Sequence, residues 1–184
     1  NSCTSYYLIG NEEFINMNID EIKHEVKVFC DAECFPIAKM IIGAGAALVL
    51  HGLREECNDI DVELEDSYFA SLRDEGLKTV EFTCGFTGRT RKLIRWANID
   101  IHREGEFFVD GPEPEIVVID GFHVHSVKTV YDMKKRLNRE KDQKDLRLME
   151  AYMDEHGIKY EPQLKKLSDA LKMQCVNENP NTFA

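Results

Sequence analysis

The chain reads as an α/β protein of the α+β kind, a mixed β-sheet core flanked by helices and continued by C-terminal helices. Three observations predict it. An apolar run at 37–42 turns through Gly43-Ala44-Gly45 into a short helical pattern. Two later segments, Asn58-Asp59-Ile60-Asp61-Val62 and Asn98-Ile99-Asp100-Ile101-His102, alternate polar and apolar residues as half-buried strands do. From about residue 128 the apolar spacing lengthens to a helical period.

Taken in order, residues 19–34 form an amphipathic helix with Ile19, Ile22, Val26 and Phe29 on one face and Asn18 or Asp20 as its cap. Pro36 separates it from a strand at 37–42. A helix over about 46–53 follows, closed by Gly52, and then the carboxylate strand at 58–64. Ser67 starts a helix that Gly76 stops. Strands are expected at about 78–84, 91–96, 98–102, 115–119 and 122–127, the last two joined by Asp120-Gly121, a two-residue hairpin signal. Helices over 128–138, 142–156 and 162–174 complete the chain, with His156-Gly157 and Pro162 dividing the last two. We expect residues 1–127 to form the core, 128–176 a helical region packed on it, and 177–184 a loose tail.

A hydrophobic content of 43% with 31% charged residues is ordinary for a globular chain of 184 residues. No apolar run approaches membrane-spanning length, so no membrane partner is expected. Six cysteines without a CxxC pair read as reduced thiols, which gives a cytoplasmic location as the expectation. Cys30 and Cys34, with His24 nearby, are better explained as small packed side chains than as a zinc site. The net charge of −11 opposes wholesale nucleic-acid coating. Two basic clusters stand out against it: Lys134 to Arg147, and Arg89, Arg91, Lys92 and Arg95.

Asp59 and Asp61 project from one strand face and repel each other, a cost that a divalent cation such as Mg²⁺ or Mn²⁺ removes. Asp100 lies on a second acidic strand, together with His102. The glycines at 43 and 45 permit close backbone approach to phosphate. His123 and His125 share a strand face; exposed strand histidines explain them more simply than metal ligation. Of Phe82, Phe86, Trp96, Phe107, Phe108 and Phe122, most are expected in the core.

Ile41 to Arg54 followed by Asn58-Asp59-Ile60-Asp61-Val62 resembles the signature of the nucleotidyltransferase-fold superfamily, the DNA polymerase beta-like group: Gly, then Gly or Ser, a spacer, then Asp-hydrophobic-Asp. Lys134 to Leu146 is similar to the second landmark of its minimal AbiEii-like branch, typified by toxin–antitoxin nucleotidyltransferases. The resemblance spans roughly residues 37–152. It departs at Ala44, where Gly or Ser is usual, and in a spacer slightly long when counted from Gly43.

The resemblance implies a transferase that moves NMP from an NTP to an acceptor hydroxyl with release of pyrophosphate. Asp59, Asp61 and Asp100 are then catalytic and metal-binding. Gly43, Ala44, Gly45, Arg54, Lys134, Arg139 and Lys141 then face the nucleotide. RNA, tRNA first, is the expected acceptor, with Arg89 to Arg95 tracking its backbone; a protein or small molecule is the other choice. Two rival readings use the same residues. Ala44 and the long spacer suit a decayed core that only binds nucleotide or a partner. Similar carboxylates also serve metal-dependent phosphodiester hydrolysis.

Overall fold

Alternating side chains along Ile60-Asp61-Val62-Glu63-Leu64 place Ile60, Val62 and Leu64 on one sheet face and Asp61 and Glu63 on the other, and the whole architecture follows that division. The computed structural model describes residues 16–85, 88–108 and 111–162. It forms a seven-stranded mixed sheet flanked by five α-helices. We name the strands β1 (Met40–Ile42), β2 (Ile60–Leu64), β3 (Thr79–Thr83), β4 (Thr90–Trp96), β5 (Ile99–Arg103), β6 (Ile116–Ile119) and β7 (Phe122–His125). The helices are α1 (Ile19–Ala32), α2 (Ala44–Leu50), α3 (Asp66–Asp74), α4 (Val127–Leu137) and α5 (Gln143–Glu155).

Strand order is β3-β4-β5-β2-β1-β7-β6. β2 runs parallel to β5 and β1 parallel to β7, while the remaining neighbours are antiparallel. One face packs Ile42, Ile60, Val62, Leu64, Ile94, Ile99, Ile101 and Val124, all essentially inaccessible, into a core shared with the helices. Removing such side chains from water is the main driving force for this layered arrangement.

Local signals set the boundaries. Asn18 accepts from the N–H groups of Asp20 and Glu21, and Glu21 Oε2 accepts from the Asn18 N–H, a reciprocal cap on α1. Asp120 and Gly121 both have positive φ (50° and 85°), the geometry of a tight hairpin turn between β6 and β7. Ser126 caps α4 through the Thr129 N–H, and Asn138 ends it in the left-handed region.

Several elements differ from expectation in extent. The run at 37–42 divides into a 3₁₀ turn at Ile37–Lys39 and a three-residue strand. β2 starts at Ile60, so Asp59 stands just before it. α3 begins at Asp66 without a side-chain cap from Ser67. The helix read at 162–174, the tail, Cys3, Cys175 and Phe86 lie outside the described residues.

Candidate active site

The polar sheet face carries the candidate site, and strand register fixes its layout. Asp61 pairs with Asp100 across β2 and β5, and Asp100 pairs with Arg95 across β5 and β4. On the other side of Asp61, the Gly43 N–H donates to the Asp61 carbonyl at 2.9 Å. A Cβ on Gly43 would meet His125 Nδ1 at 3.1 Å. The result is a row across four strands and the end of β1: His125, Gly43, Asp61, Asp100, Arg95. Asp59, at the strand mouth, completes the carboxylate group.

These carboxylates feel one another. Asp59 is held above the usual carboxylate range by desolvation, and further by the charges of Asp61 and Asp100, while Lys141 and Arg95 pull it back. Because Asp59 is exposed at the mouth, the repulsion from its neighbours is the part that a bound cation relieves. Lys141, also exposed, lies on the 3₁₀ turn before α5, near enough for its charge to act on Asp59.

Each strand carboxylate already has a basic partner. Arg95 grips Asp100 with both arms, Nε to Oδ1 and Nη2 to Oδ2, each at 2.6 Å. His102 Nε2 donates to Asp61 Oδ1 at 3.2 Å. Burial works against protonation of His102, but Asp61 and Glu106 outweigh it and raise the imidazole to about 9. Glu106 is in turn held by Arg91 Nη1 at 2.8 Å. Phe82 and Phe107 pack edge-on against the His102 ring. Among the described residues no three His, Cys, Asp or Glu side chains converge as a ready metal cage. The donor set still fits a hard divalent ion in kind, being all oxygen and mutually repulsive.

A second buried group lies beside this row. Glu63 accepts from the Gly105 N–H at 2.8 Å, and desolvation raises its carboxyl to about 7. His125 Nε2 stands 3.7 Å from Glu63 Oε1, and burial lowers this imidazole to about 4. His125 is 1% exposed, so the reading of an exposed strand histidine is corrected: Phe108 packs edge-on against its ring, and Gly43, just before α2, lies against its Nδ1. β5 is an internal strand and Asp100 is buried on it.

The basic residues divide sharply. Lys134 is buried and contacts Asp142 Oδ1 at 2.7 Å and Asp145 Oδ2 at 2.9 Å. Arg139 binds Asp142 at 2.6 Å, and Arg54 lies 3.7 Å from Asp145. Lys134, Arg139 and Arg54 thus lace α4, α5 and the α2 exit together, whereas the charge of Lys141 acts on Asp59. Gly43, Ala44 and Gly45 do open α2. However, the Gly43 N–H is engaged by Asp61 and a Cβ there would meet His125 Nδ1 at 3.1 Å, whereas a Cβ on Gly45 would make only ordinary contact with the flexible Arg54 side chain, at 3.4 Å. Close packing therefore accounts for Gly43 without a phosphate.

The Arg89 to Arg95 stretch is not one surface. Arg91 and Arg95 lie on the polar face with Glu106 and Asp100, whereas Lys92 alternates to the other face, near Glu81. Cys30 is buried, and Cys34 is an exposed thiol past the end of α1. Phe122 and Phe108 are buried, and Trp96 stacks edge-on with Phe29.

Sequence reading did not assign roles to His102 and Glu106, and it gave Arg95 to an RNA backbone rather than to Asp100. Alternation alone placed His102 beside Asp100. Glu106 sits on a loop and gave no periodic signal. No helix among the described residues is long and apolar enough to cross a membrane. Comparison with family models, curated proteins and solved structures finds no match to this chain.

Proposed function

We propose that the chain is a Mg²⁺-dependent nucleotidyltransferase that moves NMP from an NTP to an acceptor hydroxyl. The observation that carries the reading is the register of Asp61 with Asp100, with Asp59 beside them and Lys141 and Arg95 acting on the same carboxylate. The likeness of residues 37–152 to minimal AbiEii-like nucleotidyltransferases supports it further.

In the reaction, an acceptor oxygen forms a bond to the α-phosphorus, the bond from that phosphorus to the bridging oxygen of pyrophosphate breaks, and the hydroxyl proton passes to solvent. Asp59, Asp61 and Asp100 would hold Mg²⁺ or Mn²⁺, which lowers the pKa of the attacking hydroxyl and neutralises phosphate charge. His102 and Glu106 keep Asp61 in one orientation, which preserves the geometry on which such catalysis depends. Lys141 supplies a mobile positive charge at the mouth.

RNA, tRNA first, is the proposed acceptor. The divided Arg89–Arg95 stretch leaves less continuous basic surface for it than the sequence implied, so binding should be weak and salt-sensitive. A second reading, a nucleotide- or partner-binding protein on a decayed core, is favoured by one observation: the Gly43 N–H is already engaged by Asp61.

Incubating the protein and Mg²⁺ in cell extract with each of four α-labelled NTPs, then separating RNA, protein and small molecules, tests the proposal. Label in one fraction supports transfer and names the acceptor. Saturable nucleotide binding without labelled product supports the binding protein instead.

A further inference from the structure

The sequence expected a triphosphate to be met by Lys134 and Arg139, but both are spent on Asp142 and Asp145. The cations that act on Asp59 at the carboxylate mouth are Lys141 and Arg95. Arg95 is unusual because it occupies both oxygens of Asp100. An oxygen held in a 2.6 Å charge-assisted bond is not open to a divalent ion in the same place, so guanidinium and cation compete for Asp100.

The two partners differ in freedom. The Asp100 side chain is 12% exposed and fixed in an internal strand, whereas the Arg95 side chain is 40% exposed. A guanidinium so exposed can leave without unpacking the sheet, and a released guanidinium has a planar fork suited to phosphate oxygens.

We propose that Arg95 is a two-position arm: without nucleotide it neutralises Asp100, and when a divalent cation arrives with a nucleoside triphosphate it transfers to the phosphates. This inference rests on the nucleotidyltransferase reading and adds a phosphate ligand to it. The arm keeps the buried carboxylate compensated in the empty protein and couples metal occupancy to triphosphate occupancy. Arg91 does not share the role, because Glu106 holds it further along the same face.

Opposite-signed effects on two affinities distinguish this role from a structural one. Binding of Mn²⁺ alone, and of Mn²⁺ with a non-hydrolysable α,β-methylene nucleoside triphosphate, is measured by electron paramagnetic resonance and calorimetry for wild type, Arg95→Gln and Arg95→Lys. All four bases are screened and the tightest analogue is used. Arg95→Gln should bind Mn²⁺ alone more tightly and the Mn²⁺–analogue pair about tenfold more weakly, the size expected of one charge-assisted contact. Arg95→Lys, which retains charge without the fork, should fall between and also serves if the Gln variant does not fold. Unchanged affinities, or two affinities moving in the same direction, overturn the proposal. If wild type shows no saturable Mn²⁺ binding even with the analogue present, the metal reading itself fails and takes this inference with it.

Discussion

Replacing Lys134 with Ala removes the cation at the centre of the α4–α5 junction. Its ammonium lies 2.7 Å from Asp142 and 2.9 Å from Asp145, and the three side chains are 6%, 2% and 9% exposed. Arg139 would remain on Asp142, but Asp145 would keep only Arg54 at 3.7 Å. Removing one partner of such a buried group leaves an undercompensated carboxylate and costs about 3–5 kcal/mol. For a chain of this length that corresponds to a fall in Tm of roughly 6–20 °C. Asp142 adds a pH signature. Burial would raise its carboxyl, but Arg139 and Lys134 overcome this and hold it below the usual range. The stability it contributes is therefore present at neutral pH and lost as pH falls through the carboxylate range. In the variant Asp142 has lost one of these two cations, so less of that stability remains to be lost as pH falls. The gap in Tm between wild type and Lys134→Ala should accordingly shrink from pH 7 towards pH 4, as followed by calorimetry. A fall in Tm below about 2 °C, accompanied by a large loss of nucleotide-analogue affinity, would refute the reasoning and return Lys134 to the phosphates.

Lys141→Ala should leave Tm within about 1 °C, as expected of an exposed side chain, while weakening binding of a non-hydrolysable NTP in calorimetric titration. His125 has its imidazole lowered to about 4, so its neutral form favours the fold above pH 6.5 and that contribution is lost as pH falls from 6.5 to 4. On the order of 3 kcal/mol is at stake, so His125→Gln should gain on wild type between pH 7.5 and pH 5 in urea titrations, even though Glu63, raised to about 7, shifts both curves the other way. Ala44 sits at φ 46°, a left-handed conformation that costs a residue with a Cβ about 1–2 kcal/mol. Part of that is returned to the unfolded chain by Gly, leaving Ala44→Gly about 0.5–1 kcal/mol more stable in denaturant unfolding.

The parts of the fold that announce themselves locally were legible in the chain. The Asp120-Gly121 hairpin, the Asn18 cap and the alternation of β2 and β5 need only neighbouring residues to be recognised. The carboxylate row was legible for the same reason, because period-two alternation puts Asp61 and Asp100 on faces that parallel register then aligns. What was hidden depends on pairing across distance. Nothing along the chain says that β4 brings Arg95 opposite Asp100, or that a loop returns Glu106 to His102. The basic run from Lys134 to Lys141 looked uniform, yet helix geometry turns Lys134 inward and leaves Lys141 out. His125 looked like a surface strand residue because its cover comes from Phe108 and the turn at Gly43, both remote in sequence.

The central claim is nucleotidyl transfer at the Asp59, Asp61 and Asp100 carboxylates, and the fate of each phosphate tests it most directly. Purified protein, Mg²⁺ and the acceptor fraction are incubated with NTP labelled at either the α- or the γ-phosphate, for wild type and for Asp61→Asn. The account predicts α-label joined to the acceptor, γ-label released as pyrophosphate in equal amount, and neither from Asp61→Asn in protein that still unfolds in a single cooperative transition. Inorganic phosphate instead of pyrophosphate, or equal transfer by Asp61→Asn, would contradict it.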